Sequence, residues 1–331
     1  MNSGPAATRG AATEPAGHVP VLLDRVLGLL APALHDRPAT VVDATIGLGG
    51  HAEALLRAHR LLTVIGLDRD RMAIERSAHR LARFSQRVHL VHAVYDQMPE
   101  VLADLGLPRR YEVDGVLFDL GVSSMQLDLA QRGFGYANDG PLDMRMDPSR
   151  GITAADVVNE YPVPQLARLL REYGEERFAQ RIATAIGRAR RQAPLTSTGQ
   201  LAALIRDAIP AASRRTGGHP AKRTFQALRI EVNGELDALR AALPAALTTL
   251  RQGGRIVVLS YQSLEDRIVK RAFAALATDR TPADVPLPLP QRRPELRLLT
   301  RGEKAPAAEI SANPRAASVR LRAAERIRVP A

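Results

Sequence analysis

The chain contains no cysteine. That excludes disulfides, zinc–thiolate sites and a cysteine nucleophile. It also excludes the usual route to methylation at carbon 5 of a pyrimidine, in which a thiolate first attacks the ring. No run of about 18 apolar residues occurs, so no transmembrane helix is expected. Residues 1–17 are rich in Ala, Gly, Thr and Pro and lack the apolar stretch of a secretory signal. They read as a disordered extension, and a reducing, cytoplasmic setting fits these absences. Aromatic residues make up only 4% of the chain, so those beside a motif stand out. Negative charge is also short. Thirty-five Asp and Glu face 46 Lys and Arg, a net charge of +11. Such an excess fits a polyanionic partner, foremost nucleic acid.

The length of 331 residues allows one large domain or two smaller ones. Apolar, β-branched runs at residues 41–46, 62–67, 88–91 and 113–118 alternate with helical patterns. Near-continuous apolar strands separated by helices imply a parallel sheet covered on both faces. From residue 151 to about 209 the strands stop. Short helical segments replace them, one of them opened by a capping box at Ser197 and Gln200. An amphipathic pattern from Phe225 to Leu247 follows, with Pro244 as the expected kink. A turn at Gly253 and Gly254 leads into a fifth strand at residues 255–260, and residues 319–327 alternate as a last strand. Arg214 to Gly218 reads as a basic hinge, and residues 284–294, rich in Pro and Arg, as irregular. The expected organisation is therefore an α/β core at residues 18–139 and 216–331. A small all-helical domain at residues 140–215 is inserted into it.

Val41-Val42-Asp43-Ala44-Thr45-Ile46-Gly47-Leu48-Gly49-Gly50-His51 joins a strand, a glycine turn and a helix start. Glycine lets backbone amides approach a ligand, and the helix N-terminus adds partial positive charge. Asp68 ends the second strand and suits the two hydroxyls of a ribose. Together they imply an adenosine-containing cofactor. Gly47, Gly49 and Ala52 also satisfy the loose nicotinamide pattern, so this loop leaves a dehydrogenase open.

Further segments carry a resemblance. They are Asp119-Leu120-Gly121-Val122-Ser123-Ser124-Met125-Gln126, Arg132-Gly133-Phe134-Gly135-Tyr136 and Asp139-Gly140-Pro141-Leu142-Asp143-Met144-Arg145-Met146-Asp147. With them go His219-Pro220-Ala221-Lys222-Arg223-Thr224-Phe225 and Ser263-Leu264-Glu265-Asp266-Arg267. These closely resemble the bacterial 16S ribosomal RNA cytosine-N4 methyltransferase family, over residues 18–327. The family often has an aromatic where this chain has Ile46, and Phe-His where it has Tyr261-Gln262.

The resemblance implies a Rossmann-like class I methyltransferase sheet and S-adenosylmethionine as cofactor. The expected reaction is methyl transfer to the N4 amine of a decoding-centre cytosine, cytosine 1402, in 16S rRNA of the small ribosomal subunit. Gly49, Gly50, His51, Asp68, Tyr95, Asp119 and Gln126 are then expected at the cofactor. Asp119, at the carboxyl edge of the fourth strand, is also the candidate for catalysis. Phe134, Tyr136 and Tyr261 are candidates for holding the target base, and Arg223 for the rim. Basic clusters at Arg188, Arg190 and Arg191, at Arg214, Arg215, Lys222 and Arg223, and at Arg292, Arg293 and Arg297 are candidates for phosphate. No metal is expected; Asp139, Asp143 and Asp147 read as capping and ion-pairing residues around Arg145. The alternatives are an assembly factor that binds the cofactor without catalysis, and the dehydrogenase.

Overall fold

The computed structural model describes residues 20–107, 112–214, 219–279, 281 and 292–329. Residues 1–17, most of the basic hinge and most of the Pro- and Arg-rich stretch lie outside these. Seven strands form one sheet in the order β3-β2-β1-β4-β5-β7-β6. They are β1 (Ala39–Asp43), β2 (Leu62–Asp68), β3 (Val88–His92), β4 (Val113–Asp119), β5 (Leu250–Ser260), β6 (Leu296–Leu298) and β7 (Arg320–Arg326). The first five run parallel, and β7 lies antiparallel between β5 and β6.

Alternation along buried strands supplies two cores. Val41, Val64, Leu117 and Val257 point to one face, under α1 (Leu23–Leu34) and α2 (Gly50–Ala58), with Ile74 of α3 (Arg71–Arg80). Val42, Ile65, Val116 and Val258 point to the other, under α4 (Met98–Asp104). The links from β1 to β2 and from β2 to β3 thus lie on one face, while that from β3 to β4 lies on the opposite one. The order in which strands are added reverses between β1 and β4, and ligands bind at such a point in open α/β sheets.

The helices that follow build a third core. They are α5 (Ser124–Asp128), α6 (Ala154–Glu160), α7 (Val163–Gly174), α8 (Ala179–Ala189), α9 (Thr198–Ala208), α10 (Ala211–Arg214) and α11 (Lys222–Asn233). Leu166, Leu170, Ile182, Ile186 and Ile205 fill that core together with Phe225 and Leu228. Ser197 accepts from the Gln200 amide and opens α9, as its spacing implies. The chain then returns through α12 (Glu235–Thr249), β5 and α13 (Ser263–Ala277) to the second face of the sheet. α14 (Ala307–Ala312) precedes β7.

Three boundaries differ from those expected. β1 ends at Asp43 rather than Ile46, because the Asp43 carboxylate accepts the Thr45 amide at 3.2 Å and turns the chain off the ladder. The long amphipathic stretch is two helices, and it breaks at Gly234 rather than Pro244. Gly234 sits at φ 58°, a left-handed conformation that glycine adopts without a Cβ clash, whereas Pro244 is absorbed within α12. Gly253 and Gly254 lie inside β5, where the register with β4 shifts, rather than before it.

Candidate active site

A cavity of about 620 Å³ opens at the carboxyl ends of β1, β2 and β4. Gly50, His51, Asp68, Tyr95, Asp119 and Gln126 border it, as do Phe134, Tyr136 and Tyr261. Tertiary folding therefore brings nine of the expected residues to one place. Gly49 and Arg223 are not on its wall.

The glycine turn is held by its own amides. Gly49 N donates to the Ile46 carbonyl at 2.7 Å, and Gly47 N to Asp68 Oδ2 at 3.0 Å. Those two N–H groups are thus committed to the protein. Gly49 caps α2 at φ 75°, and a Cβ there would press on Leu81 at 3.2 Å. Its role is the turn itself. The amides of Gly50, His51 and Ala52 form the first helical turn and have no intrahelical acceptor. That end of α2 carries no side-chain cap and faces the cavity.

Asp119 closes β4 with its side chain 28% exposed. Its amide donates to Thr45 Oγ1 at 2.7 Å, which locks the end of β4 to the end of β1. Tyr261 Oη donates to Asp119 Oδ1 at 2.7 Å. Burial, and then the charge of Asp119, drive the Tyr261 phenol far above its ordinary value, so it remains a donor. His51 is only 6% exposed, with Nδ1 3.8 Å from Asp119 Oδ2 and Nε2 3.1 Å from the Val21 carbonyl. A carbonyl only accepts, so Nε2 carries a proton and donates to Val21, and Nδ1 is the ring nitrogen that faces Asp119.

Asp68 accepts from the amides of Gly47 and Asp70 and joins β2 to the glycine turn. Burial raises its carboxyl to about 6. Gln126 is less available than its position implies. Its Oε1 accepts from Ser123 N at 3.1 Å, and its Nε2 donates to Asp70 at 2.9 Å. Arg132 joins the same buried Asp70 and holds the Arg145 and Met146 carbonyls, which fastens the helical lobe to the cavity. Phe134 is packed in the lobe core. Tyr136 is stacked on His219, with centroids 4.2 Å apart. Tyr95 donates to the Glu235 carbonyl at 3.1 Å.

Several residues at the site were not singled out by their sequence. Thr45 locks β1 to β4. Glu235 takes a bidentate pair from Arg229. Glu265 accepts from the Tyr261 and Gln262 amides. Asp43 lies buried behind the cavity wall. An acid ending an apolar strand was the available signal for Asp43, and Glu265 lies in a segment that carries the resemblance; Glu235 carries none without the fold. Among the arginines expected on phosphate, Arg190 donates to the Val158 carbonyl and Arg297 pairs with Glu325, so both serve the protein itself. Asp139 caps the Gly199 amide, Asp143 pairs with Arg145 and Asp147 with Arg150. Among the described residues no group of acids and histidines has metal-site geometry, and no helix is long and apolar enough to cross a membrane.

Acids raised by burial, Asp43 and Glu265 foremost with Asp68 beside them, set a pH dependence of stability. Burial above all, with repulsion from Asp119 and Asp68 added, raises Asp43 from 3.8 to about 7. Burial raises Glu265 from 4.5 to about 7. Between the ordinary values and pH 7 the folded chain therefore binds more protons than the unfolded one, and stability falls as pH rises. Each such group costs up to about 1.4 kcal/mol per pH unit. His59, lowered by burial, opposes this through a single group. The ligand-free protein is expected to melt roughly 5 °C or more lower at pH 8 than at pH 5. A midpoint that is flat or rising over that range in a thermal scan contradicts the assignment.

A sheet whose strand order reverses at β1/β4, with strand-end acids above a glycine turn, places this protein among the class I S-adenosylmethionine-dependent methyltransferases. Residues 15–327 match the MraW methylase family, and the chain belongs to that family. Its cofactor is S-adenosylmethionine. The chain is 65% identical over 312 residues to ribosomal RNA small subunit methyltransferase H of Saccharopolyspora erythraea, covering 94% of each chain. It is 63% identical over 314 residues to the protein of that name from Thermobifida fusca, covering 95% of this chain and 94% of the other. Among solved structures, an rRNA methylase from Streptococcus thermophilus aligns over 94% of this chain and 100% of its own, at 12% identity and a TM-score of 0.43.

Proposed function

We propose that this protein transfers a methyl group from S-adenosylmethionine to the N4 amine of cytosine 1402 in 16S ribosomal RNA. The observation that carries the reading is Asp119. It is a carboxylate at the topological switch, held by Tyr261 and Thr45 on a cavity bordered both by the glycine turn and by the helical lobe. The relatives' shared name and the excess of basic residues support RNA as the acceptor.

The residues fit the cofactor. Asp43, Asp68 and Asp119 end three adjacent strands, and their mutual repulsion contributes to the raised Asp43. A cationic ligand relieves it. Asp68 suits the ribose hydroxyls, and the first amides of α2 suit the carboxylate of the methionine portion. Gly50, His51, Tyr95 and Gln126 complete that wall. When bound, S-adenosylmethionine supplies a methyl group on a positively charged sulfur that is already a good leaving group.

The protein then has to align donor and acceptor. Orientation alone supplies about 7–11 kcal/mol in favourable cases. An exocyclic amine is a weak nucleophile because its lone pair is delocalised into the ring. Asp119 accepts one N4 hydrogen and offsets the positive charge that develops on nitrogen as the new bond forms. The proton released passes to Asp119, and His51 Nδ1 stands behind Oδ2 to take it further. Tyr261 keeps Asp119 in the productive orientation. Tyr136, already stacked on His219, belongs to the wall that receives the base. We assign acceptor recognition to the helical lobe, because Arg132 ties it to Asp70 and Arg69 holds the Asn233 carbonyl, both on the cofactor side of the cavity.

The test is transfer of labelled methyl groups to small ribosomal subunits and to naked 16S rRNA, with mass mapping of the product. N4-methylcytidine at one position is expected. No incorporation into either acceptor, or label on another atom, overturns the reading.

A further inference from the structure

A second cavity, of about 390 Å³, adjoins the first. Lys222, Gln226, Tyr261 and Gln262 border both. The stacked pair divides between them, since Tyr136 borders the first and His219 the second. The volume lies in the range of small-ligand sites.

Glu175 builds the rim. It follows α7 in a left-handed conformation at φ 48°. Its carbonyl accepts Arg223 Nη1 at 2.7 Å, and its carboxylate accepts Ser263 Oγ at 2.7 Å and Arg267 Nη2 at 3.1 Å. The C-terminus of α7 and the N-termini of α11 and α13 are thereby tied around one opening. The Ser263 hydrogen bond, and then Arg267, hold the Glu175 carboxyl below its usual range, so its charge is already answered.

The rest of the wall carries three basic side chains and one further carboxylate, Glu176, which accepts the Phe178 amide at 2.9 Å. Arg177, Lys222 and Arg223 border the cavity. Lys222 is exposed, and its side-chain ammonium has no hydrogen-bond or ion-pair partner among the described residues. On the shared wall, Gln262 Nε2 donates to Glu265 while its Oε1 is buried without a partner. A partnerless cation and an orphaned acceptor therefore stand at one partition. An orphaned buried acceptor costs about 1–3 kcal/mol, which a ligand donor recovers.

We infer that the second cavity holds the nucleotide adjoining the methylated cytosine, with the connecting phosphodiester on Lys222 and Arg223. The inference rests on the RNA reading above. A base delivered to the first cavity is splayed from its strand, and its chain must continue away from the buried cofactor. The wall of Lys222, Tyr261 and Gln262 is where a chain one phosphodiester long crosses. Gln262 Oε1 accepts there from an amino group or a sugar hydroxyl.

The test titrates the full chain, holding S-adenosylhomocysteine, with cytidine and with dinucleotides bearing cytidine at either end. One dinucleotide is expected to bind about tenfold tighter than cytidine, a gain typical of a hydrogen-bonded charge. Lys222→Ala is expected to remove that gain and Lys222→Arg to keep it, with cytidine alone as the internal control. The salt dependence of dinucleotide binding should also weaken by about one contact in Lys222→Ala. Dinucleotides that bind no tighter than cytidine overturn the inference, as does a gain that survives in Lys222→Ala. Failure of the methyltransfer reading looks different: the Lys222-dependent gain persists, yet no RNA accepts a methyl group.

Discussion

Replacing Asp119 with alanine is expected to lower kcat for methyl transfer by at least about 100-fold, the lower end for losing a proton acceptor in the transition state. Three contacts make this the largest effect in the protein. The carboxylate accepts Tyr261 Oη, faces His51 Nδ1 and follows an amide fixed to Thr45. Alanine removes the acceptor and leaves a half-buried phenol without its protein partner, which costs a further about 1 kcal/mol of local order. Asp119→Asn separates the two roles. It keeps the shape and one oxygen for Tyr261 but cannot take the amine proton. Its kcat should therefore fall nearly as far, while its melting temperature stays close to that of the parent. Tyr261→Phe, which frees the carboxylate without deleting it, should lose only about tenfold, because one oriented hydrogen bond is removed. An Asp119→Asn protein with near-parental kcat would remove Asp119 from the chemistry and leave it as a cofactor contact.

Asp68→Ala is expected to weaken S-adenosylmethionine binding by about 100-fold or more. Two charge-assisted hydrogen bonds to a ribose are worth about 1.5–3 kcal/mol each. Part of the loss arises within the protein, since the Gly47 and Asp70 amides also end on this carboxylate. The pH dependence separates the parts. Burial holds the ligand-free carboxyl at about 6. A protonated carboxyl accepts poorly from two hydroxyls, so affinity should be full above that value and fall as pH drops through it. Calorimetric titration at pH 5, 6, 7 and 8 should show the fall in the parent and a much flatter profile in Asp68→Asn. Equal pH slopes in the two proteins would mean that Asp68 does not meet the ribose.

Much of this was legible before folding, and for identifiable reasons. Apolar, β-branched runs such as Val113 to Phe118 are buried on both faces, so their pattern survives without knowledge of neighbours. The capping box at Ser197 is a local device and appeared where its spacing placed it. Segment boundaries were less legible where two local signals competed. Gly234 and Pro244 both lie within one amphipathic run, and the break fell at the residue that reaches a left-handed backbone cheaply. Gly49 belongs to the loop but not to the cavity wall, because its missing Cβ makes room for Leu81 rather than for a ligand. Arg223 lies one cavity away from its expected place, drawn there by the Glu175 carbonyl.

The sequence by itself determined the parallel sheet, the glycine turn, the strand-end acids and the inserted run of helices, because each is written in local periodicity and residue type. Only the tertiary structure decided which of these groups meet. Asp119 gains its meaning from Tyr261, 142 positions later in the chain, and Gln126 is bound to Asp70 across 56. Such contacts arise when strands stack by topology rather than by sequence order. Lys222 and Gln262 become one wall for the same reason: α11 and α13 come from different passes of the chain, and packing alone brings their first turns together.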